Sequence, residues 1–164
     1  MRKDVTTPYD VGFQYEHQYG NCAQCTLAAL LDFFNLKEDT LFKAATGLSG
    51  GTAGMGNGNC GAYSGGVLFL GLLYGRERQA FAERGKTQRV GDLARKLHER
   101  FMAEYGGVRC HDIQHVVFGR TFNFQNPEEY QAFEAAGGHE DKCPHVVGLA
   151  ARWTAEIISA ESEG

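Results

Sequence analysis

The chain has 164 residues, a net charge of −4, and 43% hydrophobic and 22% charged residues, which is typical of a globular protein. This acidic balance disfavours nucleic acid and anionic membranes as partners, because both attract basic surfaces. The length predicts one domain over residues 1–164.

The N-terminal segment predicts a protein that is not exported. Residues 1–12 lack the apolar stretch of a signal peptide, and we expect them to form a loosely ordered N-terminus. The most apolar run, residues 67–74, is shorter than the roughly 20 residues that cross a membrane. It therefore predicts a core helix and no membrane insertion. We expect a cytoplasmic protein, in which structural disulfides are rare.

The apolar pattern along the chain is helical. It recurs at helix spacing in residues 27–34, 90–101 and 146–157. The stretch "FNLKEDTLFKAATGL" predicts a turn and then a helix that is capped by Asp39 or Thr40 and ends at Gly47. In "NPEEYQAFEAAGG", Asn126 is the expected cap and Gly137 the expected end of a short helix.

Only residues 116–124 leave helix and strand ambiguous. The sequence therefore predicts an all-α bundle of six or seven helices, with a glycine-rich loop at a cysteine site.

The glycine-rich segment covers residues 47–66, of which nine are glycine and one is Cys60. Glycine adopts backbone conformations that a β-carbon forbids, so backbone amides in this loop could approach a buried centre closely. A surface loop is the alternative. A phosphate-binding loop is disfavoured, because no Lys-Ser/Thr pair follows the glycines. The glycines expected to bind a cofactor are Gly51, Gly54, Gly56, Gly58 and Gly61.

Five cysteines in a cytoplasmic protein indicate metal binding or redox chemistry, unless they are simply small buried residues. Four of them are predicted at helix N-termini, where unpaired N–H groups and about half a positive charge stabilise a thiolate. If these helix ends converge, they form a pocket that suits an iron–sulfur cluster, zinc or Cu(I). The predicted metal ligands are Cys22, Cys60, Cys110 and Cys143.

The fifth cysteine, Cys25, forms a CxxC pair with Cys22, one helical turn apart. No histidine follows the pair, which excludes c-type haem attachment. We expect Cys25 to be dispensable. His111, His115 and His145 lie near the cysteines and are candidate ligands or hydrogen-bond donors, although a polar residue in a first helical turn is the commoner role.

With these residues in place, the sequence resembles the C_GCAxxG_C_C family of redox-active proteins. The segments "NCAQ", "CGAYSG", "RCHDI" and "CPHVV" supply the four cysteines, and the resemblance extends over residues 21–158. It implies a small helical protein of bacteria or archaea, linked to oxidoreductase or transport functions. The chain is also similar to the non-haem part of split-Soret cytochromes, which carries an iron–sulfur centre. Cys25 departs from the family pattern, in which small apolar residues are usual.

Three functions remain open from the sequence. The first is an iron–sulfur protein that transfers electrons to or from a partner oxidoreductase, with no need of a substrate pocket. The second is a metal-free thiol–disulfide redox protein or sensor. The third is a structural zinc site in an interaction protein, which the wide cysteine spacing disfavours. A homodimer, and whether any substrate is turned over, also remain open.

Overall fold

The computed structural model describes residues 6–164, which contain eight α-helices and no β-strand. The all-α prediction is confirmed, and the number of helices exceeds the expected six or seven. Three 3₁₀ turns (Ala45–Leu48, Arg78–Ala80 and Arg84–Thr87) and one π-helix (Gly138–Lys142) complete the regular structure. The helices are α1 (Pro8–Tyr19), α2 (Cys22–Phe33), α3 (Asp39–Ala44), α4 (Gly61–Tyr74), α5 (Gln88–Tyr105), α6 (Cys110–Phe118), α7 (Pro127–Ala135) and α8 (Cys143–Glu163).

The expectation that residues 1–12 are loosely ordered is wrong for residues 8–12, which belong to helix α1. Thr7 Oγ1 accepts the Asp10 backbone N–H at 3.2 Å, and the Asp10 carboxylate accepts the Thr7 N–H at 3.0 Å. This capping box, with Pro8 in the first turn, starts the helix locally. Gly12 then packs against Val147 of α8, which holds α1 on the bundle. Residues 1–5 lie outside the described part of the chain.

Helix α8 is central to the core and packs against α1, α2, α4 and α5. Its Trp153 meets Phe101 of α5 edge to face, with ring centroids 5.4 Å apart. Helices α2 and α4 approach closely at Gly65, where a β-carbon would lie 2.6 Å from the Ala23 carbonyl oxygen. The three stretches of helix-spaced apolar residues thus form α2, α5 and α8, as predicted, and residues 67–74 lie in α4.

A smaller aromatic cluster lies beside this core. The ambiguous residues 116–124 are helical as far as Phe118, and Gly119 ends α6 in a left-handed conformation with φ 73°. The side-chain oxygen of Gln114 accepts the Phe122 N–H at 2.8 Å and fixes the chain that follows. Phe118, Phe122, Phe124 and Phe133 then pack together, with 4.8 Å between the centroids of Phe124 and Phe133.

Helix boundaries differ from prediction by one or two residues. Helix α3 begins at Asp39, but its N-cap is Glu38, and a 3₁₀ turn carries the chain on to Leu48. Helix α7 is capped by Asn126 as expected and ends at Ala135 rather than at Gly137. Such shifts are usual where the last turn frays or tightens.

Within residues 6–164, no helix combines the length and the apolar character needed to cross a membrane.

Candidate functional site

Four cysteines meet at one cavity, each at the start of a different helix. Cys22, Cys110 and Cys143 are the first residues of α2, α6 and α8, and Cys60 directly precedes α4. All four line a cavity of about 710 Å³. The fifth, Cys25, does not line it.

Backbone pairing brings two of these cysteines together. The Cys60 N–H donates to the Val108 carbonyl at 2.7 Å, and the Cys110 N–H donates to the Gly58 carbonyl at 3.0 Å. Between them, Asn59 and Arg109 form an isolated antiparallel bridge. The chain entering α4 is therefore fastened alongside the chain entering α6.

The sulfur of Cys22 has several polar neighbours. A β-carbon at Gly61 would overlap it, and Cys60 and Gly50 are close enough to change its ionisation. The Ser49 hydroxyl lies 3.6 Å away. Interactions with Cys60 above all, and then with Gly50, Ser49 and Gly61, lower the pKa of Cys22 against the opposing effect of burial. Cys22 is therefore the most readily ionised of the four cavity cysteines.

The other cavity cysteines are held as thiols. The interaction with Cys22 and burial raise the pKa of Cys60. Burial, followed by the charge of Cys22, raises the pKa of Cys110, although Gln114 donates to its sulfur at 3.3 Å. Burial also raises the pKa of Cys143. One negative charge on Cys22 suppresses ionisation of its neighbours, as expected for thiols that share a site.

The glycine-rich segment forms a left-handed turn next to these sulfurs. Residues 50–54 all have φ between 53° and 76°, including the non-glycine residues Thr52 and Ala53. A left-handed conformation costs a residue with a β-carbon roughly 1–2 kcal/mol, which explains why glycine predominates here. Gly50 of this turn lines the cavity with Cys22 and helps to lower the pKa of that cysteine.

The five predicted glycines divide into two groups. Gly54 lines the cavity, a β-carbon at Gly51 would lie 2.9 Å from that of Cys110, and one at Gly61 would overlap the Cys22 sulfur. Gly56 instead lies against the ring of His111, and Gly58 lies against the Gly51 carbonyl. Gly56 therefore lets the loop pack against α6, and Gly58 lets the loop fold upon itself.

Cys25 and the three candidate histidines do not line the cavity. The Cys25 thiol is 4% exposed and donates to the Gly20 carbonyl at 2.9 Å. His145 Nδ1 hydrogen-bonds the Tyr9 hydroxyl at 2.7 Å, and His115 is exposed. The side chains that line the cavity do not include His111, His115 or His145.

Sequence reasoning missed two polar residues of the cavity, Glu16 and His139. Glu16, on α1, is 2% exposed, and its Oε1 lies 3.6 Å from His139 Nε2. Its Oε2 has no hydrogen-bond partner among residues 6–164. Burial, followed by the charge of Cys22, raises the pKa of Glu16 to about 8.

Little in the sequence marks either residue. Glu16 lies in the polar run "QYEHQ", which reads as an exposed helix surface. His139 belongs to the π-helix, an element often found at functional sites but without a recognisable sequence pattern.

The donor set can be compared with the metal centres predicted from the sequence. Four thiol groups around one cavity match the ligand chemistry of an iron–sulfur cluster. A single zinc ion needs its sulfurs about 2.3 Å from one point. Among the described residues, no group of three or more His, Cys, Asp or Glu side chains is arranged to hold a metal ion.

The fold and the site together define a class: a helical protein with four cysteines from four helix starts around one cavity. A protein-family model described as "Putative redox-active protein (C_GCAxxG_C_C)" matches residues 20–157, and the chain belongs to this family. The resemblance is thereby confirmed. Glu16 lies outside the matched residues. No curated protein and no solved structure matches the chain.

Proposed function

We propose that the chain is a thiol–disulfide redox protein in which Cys22 and Cys60 are the reacting pair. The observation that supports this most directly is that Cys22 and Cys60 line the same cavity and shift each other's pKa in opposite directions, that of Cys22 down and that of Cys60 up. In this proposal Cys22 is the thiolate and Cys60 is the thiol. This is the protonation state from which a dithiol is most readily oxidised.

The electron balance of the proposed reaction is simple. Oxidation forms the Cys22–Cys60 sulfur–sulfur bond, releases the Cys60 proton and passes two electrons to an oxidised partner. Cys22 is the more exposed residue of the pair, since it is half-buried whereas Cys60 is 6% exposed, and it has the lower pKa. Cys22 is therefore the attacking sulfur, and Cys60 resolves the intermediate.

The glycine-rich loop has a defined role in this proposal. Its Gly50 and Gly61 help to stabilise the thiolate, and the lack of a β-carbon at Gly61 leaves room for the Cys22 sulfur. A reducing compartment such as the cytoplasm, with a redox partner protein, suits a chain whose five cysteines are all free.

The test is a redox titration of the anaerobically purified protein, with thiols mapped by alkylation and mass spectrometry. We expect one disulfide, between Cys22 and Cys60, with a midpoint potential between about −120 and −270 mV, the range of redox-active dithiols. Cys22→Ser and Cys60→Ser should abolish it. The matched control Cys25→Ser should leave it unchanged. A titration in which these two sulfurs never join would refute the proposal.

An iron–sulfur cluster held by Cys22, Cys60, Cys110 and Cys143 is the second candidate, because all four line one cavity. When bound, a cluster would supply one-electron transfer to a partner oxidoreductase. Iron and sulfide analysis of protein isolated without oxygen decides between the two. Stoichiometric iron and sulfide, with a visible absorbance that dithionite bleaches reversibly, would favour the cluster. A colourless protein with stoichiometric zinc would instead favour a structural site.

A further inference from the structure

We propose that the cavity beside the cysteines binds a small planar carbonyl compound of the quinone class, which Cys22 and Cys60 reduce. This inference rests on the proposed dithiol function and adds a substrate to it. The argument uses the cavity, its aromatic wall and one buried carboxyl group.

The cavity is larger than thiol exchange requires. Exchange with another protein needs only a reachable sulfur, and a disulfide between Cys22 and Cys60 fills almost none of the 710 Å³. Pockets for small organic molecules have volumes of roughly 300–1,000 Å³. The volume therefore suits an organic molecule seated next to the sulfurs.

One wall of the cavity is aromatic. It is formed by Phe118, Phe124, Tyr130 and Phe133, outside the main core. Phe133 contacts each of the other three, with ring centroids 4.8 Å to 6.0 Å apart. Rings of this kind pack favourably against another planar ring, which indicates a planar, mostly apolar ligand.

The polar end of the ligand is indicated by Glu16. Glu16 is one of the residues that line the cavity, and its buried Oε2 has no hydrogen-bond partner among the described residues, an unfavourable state that a small shift of the side chain toward a ligand would relieve. Because its pKa is raised to about 8, the side chain carries a proton at neutral pH and can donate it to a carbonyl oxygen. The titratable groups that face Glu16 are Cys22, Cys25, Tyr130, Glu134, His139 and Cys143.

The reduction balances with these groups alone. The Cys22 thiolate and the Cys60 thiol lose two electrons and form a disulfide. The quinone gains those electrons, and its two oxygens take one proton from Cys60 and one from Glu16 to give the hydroquinone. One negative charge is present at the start, on Cys22, and one at the end, on Glu16.

A route for returning the proton to Glu16 is also present. His139 Nε2 lies 3.6 Å from Glu16 Oε1, and His139 Nδ1 hydrogen-bonds the carboxylate of Glu134. The exposed fraction of the side chain rises from 2% at Glu16 to 28% at His139 and 39% at Glu134, so the three residues form a path from the cavity to solvent. The disulfide is reduced again by the partner of the proposed function.

The experiment separates binding from chemistry and uses tetramethyl-1,4-benzoquinone, which resists thiol addition because every ring carbon is methylated or carbonyl. Binding is measured by equilibrium dialysis with a Cys22→Ser/Cys60→Ser protein, which cannot react. We expect saturable binding at one site, weakened at least tenfold by Glu16→Leu. Glu156→Gln, on the exposed surface of α8, is the matched control and should have no effect.

Reduction is measured with the pre-reduced native protein, by the loss of quinone absorbance. Glu16→Gln should still bind the quinone but reduce it at least tenfold more slowly, since an amide donates a hydrogen bond but not a proton. Absence of saturable binding would overturn this inference and leave the Cys22–Cys60 titration untouched. Binding without a Cys22–Cys60 couple would overturn the proposed function and, with it, the reduction step. Equal rates for native protein and Glu16→Gln would overturn the role of Glu16.

Discussion

The pKa values of Cys22 and Cys60 are shifted in opposite directions by the groups around the Cys22 sulfur. We expect iodoacetamide to modify Cys22 faster than the other cysteines. The rate should rise with pH and level off below pH 8.5, which is about the pKa of an unperturbed thiol. The lowered pKa means that the reactive thiolate is already present in that range. Cys60→Ala should shift the curve to higher pH, since the interaction that lowers the pKa of Cys22 most is lost. An inflection near pH 8.5 or above in the native protein would contradict the assignment.

Cys25 lies only three residues from Cys22 and has a different role. It is 4% exposed, and its thiol donates to the Gly20 carbonyl at 2.9 Å, where α1 ends. Cys25→Ala should therefore lower the free energy of unfolding by about 1–2 kcal/mol, through one lost hydrogen bond and a small void. Urea denaturation measures this change. The Cys22–Cys60 potential should stay unchanged, and a shift in it would mean that Cys25 takes part in the redox chemistry.

At the scale of elements, the left-handed turn positions both Gly50 and the start of α6. Gly51→Ala should lower the free energy of unfolding by about 2 kcal/mol or more, because φ is 76° and the new β-carbon would meet Cys110 and Gly56 within 3 Å. Gly47→Ala is the matched control within the same segment, since no described atom lies within 4 Å of its β-carbon position. Urea denaturation compares them. Similar stabilities for the two variants would mean that the turn is not rigidly held.

At the scale of the whole molecule, the contact between α1 and α8 matters because α1 positions Glu16 at the cavity. A β-carbon at Gly148 of α8 would lie 2.7 Å from the Tyr9 ring, which a hydrogen bond to His145 holds in place. We therefore expect Gly148→Ala to lower the free energy of unfolding by about 1–3 kcal/mol. Thermal unfolding followed by circular dichroism measures the change.

The control for this variant is Gly71→Ala in α4, where no described atom lies within 4 Å of the new β-carbon. This substitution should stabilise the protein by about 0.5–1 kcal/mol, since alanine restricts the unfolded chain and favours the helix. Equal effects of the two substitutions would show that α1 is not tightly packed against α8.

Features with a local cause could be predicted from the sequence. The cysteines at helix starts were identified because caps and helix-stopping glycines act within a few residues, as at Asn21 before Cys22 and Pro144 after Cys143. The all-α class followed from apolar spacing in α2, α5 and α8. Helix α1 was missed because it has few apolar residues, and contacts with α8 stabilise it instead.

Features that depend on distant contacts came from the tertiary structure. The packing of helices determines three of these contacts: Cys22 with Cys60, Cys25 with Gly20, and Glu16 with His139. Each of them joins separate elements, or an element with its flanking loop. The same packing leaves the 710 Å³ cavity between the cysteines and the aromatic wall. A hydrogen bond or a neighbouring charge changes a pKa only when it lies within a few ångströms of the titrating group. The acidity of each cysteine therefore depends on three-dimensional neighbours that spacing along the chain does not reveal.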